Sequence, residues 1–137
     1  MIVLSVDLGH ARTGLAVSDR SGFLASSLCV ITEHNDDRLI EKIAEKAAEC
    51  GAQQLVVGLP RNMDGTEGES ARRARELAQC LATRTGLPCH MQDERGTTLT
   101  AHTYLSDSGV YGKKRKQKVD AVAACIILQD YLDSRKG

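Results

Sequence analysis

The pattern of apolar positions divides the chain into a strand-rich first part and an alternating helix–strand remainder. Ile2 to Asp7 reads as a buried strand, Thr13 to Ser18 as a second and Phe23 to Thr32 as a third. Residues 8 to 12 form a short first turn, and Asp19-Arg20-Ser21-Gly22 has the composition of a hairpin turn, so the three strands form an antiparallel meander. The period then changes. Leu39, Ile43, Ala44 and Ala47 recur at helical spacing, with Asn35 or Asp36 as N-cap and Gly51 just past the end. Gln54 to Leu59 is a buried strand. Thr66 and Glu69 fit a capping box for a helix that continues from Ala71 to Arg84 and stops at Gly86. Cys89 to Gln92 is a short strand, followed by a helix from about Thr98 to Ser106. A basic run then leads to a last helix from about Gln117 to Ser134.

A meander followed by right-handed β-α-β crossovers predicts an α/β fold with a mixed five-stranded sheet flanked by helices. The strand order is 3-2-1-4-5, with the second strand antiparallel. The first strand is then central, and Asp7 stands at the middle of the carboxyl edge, where open α/β sheets bind ligands. The 137 residues suit one domain, residues 1–137.

Charge refines this picture. The formal net charge is zero, so no global polyanion signature exists, yet Lys113, Lys114, Arg115, Lys116 and Lys118 crowd five positive charges into six positions. Such a local patch suits contact with a nucleic-acid backbone. No apolar stretch reaches the roughly 18 residues of a membrane helix, and no signal peptide is visible, so no membrane partner and a cytoplasmic location are expected. The five cysteines are odd in number and lack C-x-x-C spacing. They read as small buried hydrophobes in a reducing compartment.

Asp7 ends an otherwise apolar central strand, which is costly unless the carboxylate has a partner. Glycine follows two residues later, so the backbone can turn sharply. Asp93 and Glu94 follow the fifth strand. Successive strand residues face opposite ways, so only one of them joins Asp7; Glu94 is the expected ligand and Asp93 the alternative. Asp120 lies near the start of the last helix, beside the small residues Ala121, Ala123 and Ala124. Asp7, Glu94 and Asp120 form an all-oxygen set suited to Mg²⁺ or Mn²⁺, with two ions expected. Two such cations activate water and stabilise the leaving oxygen in phosphodiester cleavage. Arg12, Arg61 and Arg95 are candidate phosphate contacts beside the basic run. The few aromatics argue against a base-stacking platform.

These residues resemble the YqgF (RuvX-like) family of RNase H-like nucleases. The resemblance rests on Asp7-Leu8-Gly9 with Arg12-Thr13-Gly14 and Val17-Ser18-Asp19, then Val56-Val57-Gly58-Leu59-Pro60 with Asn62-Met63-Asp64-Gly65-Thr66. It continues through Asp93-Glu94-Arg95 with Thr97-Thr98, and Lys114-Arg115-Lys116 leading to Val119-Asp120 and Ile127 to Leu132. It implies an RNase H-like fold, metal-dependent nuclease chemistry and maturation of the 5′ end of 16S ribosomal RNA. It also implies a Holliday junction resolvase role as the alternative, acting on branched DNA. In the related resolvases a metal-binding acid follows the fourth strand, where this chain has Gly58-Leu59-Pro60, so Glu94 is the natural substitute. Gly96 is a second departure, standing where the family usually has a bulky residue. RNA trimming needs only a monomer; junction cleavage favours a homodimer. A non-catalytic RNA-binding module is a further alternative, under which Asp7→Asn would leave function unchanged. An actin-like phosphotransferase is a poor fit, because it needs two lobes to enclose a nucleotide.

Overall fold

The computed structural model describes residues 1–9, 11–60, 64–93 and 112–136, with side chains described except at 112–121 and 136. Five strands, β1 (Val3–Asp7), β2 (Arg12–Ser18), β3 (Ala25–Thr32), β4 (Gln54–Leu59) and β5 (Cys89–Asp93), form one sheet in the order β3-β2-β1-β4-β5. β1 pairs antiparallel with β2 and parallel with β4, as the meander and crossovers require. Three helices are described: α1 (Asp36–Cys50), α2 (Glu69–Thr85) and α3 (Gly112–Lys136). None is long and apolar enough to cross a membrane.

Alternation along the strands makes two unlike faces. Leu4, Val6, Leu15, Leu55 and Val57 point to one side, where Leu39 and Ile43 of α1 and Leu77 and Leu81 of α2 close a large aliphatic core. Val3, Ala16 and Val56 point to the other, against Ala124, Ile127, Leu128, Tyr131 and Leu132 of α3. Burying each large aliphatic side chain stabilises by roughly 1.5–3 kcal/mol, so both layers are needed to offset chain entropy.

Local chemistry sets the element ends. Asn35 caps α1 by accepting from the Arg38 amide at 3.0 Å, and Gly51 ends it in the left-handed region. α2 departs from the expected capping box: its N-cap is Gly68, with no side-chain cap, while Thr66 bonds through its amide and hydroxyl to Asp64 Oδ1. An Asx-type turn at Asp64 has taken Thr66 away from the helix. The larger correction is α3, which begins at Gly112 and not near Gln117, so the basic run is helical. Lysine and arginine are good helix formers, and a run of them carries no apolar period to announce the helix. The five cysteines are all free, but none is fully buried and Cys80 is exposed. Burial pushes the Cys89 thiol up to about 11. The helix expected at 98–106 lies outside the described residues.

Candidate active site

Asp7 occupies the last position of the central strand. Leu4, Val6 and Leu8 face the α1/α2 core, and Val3 faces α3. Strand alternation therefore puts Asp7 on the α3 side, where it is partly buried. Its neighbours in the sheet have no side chains. Asp7 pairs with Gly14 on β2, and the register of Val6 with Val57 sets Gly58 beside it on β4. Gly58 in turn pairs with Gln92 on β5. The row Gly14–Asp7–Gly58–Gln92 thus sets one carboxylate between two residues that project no side chain from the sheet. The sequence marks Gly58 only as the place where related resolvases carry an acid; the adjacency of both glycines to Asp7 emerges from the register.

α3 lies over this face antiparallel to β1. Ser5 Oγ donates to the Ala124 carbonyl at 2.7 Å, and Tyr131 OH donates to Gln54 Oε1 at 3.1 Å, Gln54 being the partner of Val3. Moving along β1 from Val3 through Ser5 to Asp7 therefore corresponds to moving back along α3 from Tyr131 through Ala124. Asp120 is four residues, about one turn, before Ala124. The helix backbone thus carries position 120 toward the Asp7 end, and Lys113 to Lys118 occupy the turns before it.

Arg12 shares the parity of Gly14 and Ala16, so it also belongs to the α3 side of the sheet. Asp93 does not share the face of Asp7. Cys89 and Met91 pack toward the α1/α2 core, and Asp93 has their parity. Glu94, Arg61 and Arg95 lie outside the described residues, as do the side chains of Asp120, Lys113, Lys114, Arg115, Lys116 and Lys118. Among the described residues no group of three metal-ligating side chains is gathered.

The turn after Asp7 is tight. A Cβ on Gly9 would collide with the Arg12 carbonyl oxygen, so glycine is required for that close approach. Both limbs of the turn are held: the Gly9 carbonyl accepts from Arg73 Nη1 at 2.7 Å, and the Ala11 carbonyl from the Glu33 amide at 2.8 Å.

Comparison with known proteins places this geometry. A family model described as RuvX, Holliday junction resolvase, matches residues 1–134. A protein of Pelotomaculum thermopropionicum named "Putative pre-16S rRNA nuclease" is 41% identical over 136 residues, covering 98% of this chain and 88% of the relative. One of the same name from Anaeromyxobacter sp. (strain Fw109-5) is 42% identical over 135 residues, covering 98% of both. Among solved structures, T. thermophilus RuvC in complex with a Holliday junction substrate aligns with a TM-score of 0.64 at 17% identity, covering 100% of this chain and 96% of that one. The Fowlpox virus resolvase with Holliday junction DNA aligns with a TM-score of 0.58 at 11% identity, over all of both chains. At these identities the structural likeness establishes the fold, which is RNase H-like.

Proposed function

Since the chain belongs to the RuvX family, we propose that it is a metal-dependent endonuclease that cleaves phosphodiester bonds in structured RNA, processing the 5′ end of precursor 16S rRNA. The observation that carries this reading is the strand-end carboxylate of Asp7, flanked in the sheet by Gly14 and Gly58 on the face toward which α3 carries position 120. The names of the relatives support the RNA substrate, and the description of the family supports branched DNA as the second reading.

The donor chemistry fits a hard divalent cation. Asp7, Glu94 and Asp120 supply only carboxylate oxygens, and the sheet neighbours of Asp7 are glycines, which bring no competing side chain. The strand alternation that sends Asp93 to the α1/α2 side favours its neighbour Glu94 as the second acid. When bound, Mg²⁺ or Mn²⁺ would lower the pKa of water and stabilise charge on the leaving oxygen. The chain's own residues would do the rest. Arg12, on the face of Asp7, and Arg61 and Arg95, after the neighbouring strands, would hold phosphate oxygens. Lys113, Lys114, Arg115, Lys116 and Lys118 would bind the nucleic-acid backbone from the helix that bears Asp120, giving binding a steep salt dependence. One such site per molecule suffices for RNA trimming, so residues 1–137 would act as one nuclease domain and a monomer would be competent.

Cleavage by wild type and Asp7→Asn tests the reading, using labelled RNA spanning the 16S precursor 5′ end and a four-way DNA junction. We expect Mg²⁺- or Mn²⁺-dependent cutting of the RNA, reduced more than about 100-fold in the variant, because losing a direct metal ligand costs more than losing a supporting residue. Symmetric cutting of the junction alone would replace RNA processing by junction resolution. Binding without cutting, equal in both proteins, would make the chain a non-catalytic module.

A further inference from the structure

We propose that Arg73 is a positioning residue for the metal site, acting through the backbone of the turn that follows Asp7; the inference rests on the nuclease reading above. Arg73 belongs to the first half of α2 and sits on the α1/α2 side of the sheet, away from the α3 side on which Asp7 lies. Its guanidinium joins three segments. Nη1 donates to the Gly9 carbonyl at 2.7 Å, while Nη2 donates to Asp36 Oδ1 at 2.9 Å, with Nε 3.5 Å from Asp36 Oδ2. Asp36 is the first residue of α1, directly after the cap Asn35. The planar fork is therefore oriented by a carboxylate on one helix and fixed to a second helix. Its remaining donor holds a carbonyl two residues beyond Asp7.

This arrangement suits a turn with little slack. Gly9 already crowds the Arg12 carbonyl, and the Glu33 amide holds Ala11 on the other limb. Releasing the Gly9 carbonyl would free one limb of a turn whose two ends carry Asp7 and Arg12, both on the α3 side. Loss of a group hydrogen-bonded directly to a metal ligand typically weakens metal affinity about 10–100-fold. Arg73 acts one step further out, through the Gly9 carbonyl, so an effect near the low end of that range is expected. A lysine in place of Arg73 could reach one partner but could not fork between two.

The test is Mn²⁺ binding to metal-free protein, followed by electron paramagnetic resonance, with amide hydrogen exchange at residues 8–12 measured before metal is added. Proteins compared are wild type, Asp7→Asn, Arg73→Ala, Arg73→Lys and Asp36→Asn, each checked by its thermal midpoint. Expected are Mn²⁺ binding weakened about tenfold or more in Arg73→Ala, faster exchange across the turn, and partial recovery of both in Arg73→Lys. Asp36→Asn keeps the arginine but loosens its fork, and should fall between wild type and Arg73→Ala; it carries the test if Arg73→Ala does not fold. Unchanged Mn²⁺ binding in a folded Arg73→Ala, with binding lost in Asp7→Asn, would overturn this inference and leave the metal site standing. Equal binding in Asp7→Asn and wild type would overturn the metal site itself, and this inference with it.

Discussion

At the Val3 end of the α3 face, Tyr131 and Arg135 both donate to Gln54 Oε1, at 3.1 and 2.9 Å, and Gln54 Nε2 lies 2.9 Å from His90 Nε2. Gln129 ties the same stretch of helix to the β2–β3 turn through the Ala25 amide and the Phe23 carbonyl, each at 2.9 Å. At the Asp7 end the same face offers Gly14, Gly58 and a carboxylate. One end joins helix to sheet by packing and satisfied polar atoms; the other sets a carboxylate between two glycines. An acid at a strand end is a poor way to stabilise a sheet, and such local departures from the rules of sheet formation are where functional sites are expected. The firmly held end seats α3, whose backbone runs back toward the Asp7 end.

Substitutions that break the held end should show this. Leu128, on α3, is fully buried against the sheet, and Leu128→Ala should cost about 2–5 kcal/mol in chemical denaturation by loss of transfer energy and creation of a cavity. Tyr131→Phe removes the hydroxyl that donates to Gln54 and accepts from Arg135 at 2.6 Å, and should cost about 1 kcal/mol. It should leave metal-dependent cutting at its wild-type level, because the lock lies at the far end of β1 from Asp7. A large loss of cutting at unchanged stability would break the comparison.

The smallest effect belongs to Asp19, in the turn to which Gln129 is tied. Its carboxylate accepts from the Ser21 hydroxyl and the Phe23 and Leu24 amides, which hold its pKa at about 2 against an ordinary 3.8. A depressed carboxylate stabilises the fold above its unfolded pKa, and that contribution fades as pH falls through the folded value. Asp19→Ala should therefore lower the thermal midpoint slightly above about pH 4, with the gap from wild type closing as pH approaches 2. A gap independent of pH would assign the turn's stability to its backbone.

Much of the architecture was legible because strand alternation and helical spacing are strong signals here. Gln54–Leu59 forms β4 over the expected residues, and the sheet order follows from the meander and crossovers. The start of α3 was hidden because Lys113 to Lys118 have no apolar member to mark a period. Thr66 misled because its hydroxyl has a nearer acceptor, Asp64. Asp7 and Arg12 were legible as a strand-end pair, and the structure gives them one face. Gly58 stood out only as the place where related resolvases carry an acid, and Gly14 only within a motif; that both flank Asp7 comes from the pairing. Arg73 stands among Arg72 and Arg75, and nothing in the sequence separates it from its neighbours; its partners come from the turn after β1 and from α1.

The most direct test of the account concerns two adjacent acids. Cleavage of the 16S precursor RNA should be compared for Asp93→Asn and Glu94→Gln under Mg²⁺ or Mn²⁺. Asp93 has the parity of Cys89 and Met91, on the face away from Asp7. The account predicts that Asp93→Asn retains metal-dependent cutting and Glu94→Gln loses it. Loss in Asp93→Asn with activity retained in Glu94→Gln would contradict the assignment of the reaction to the α3 face.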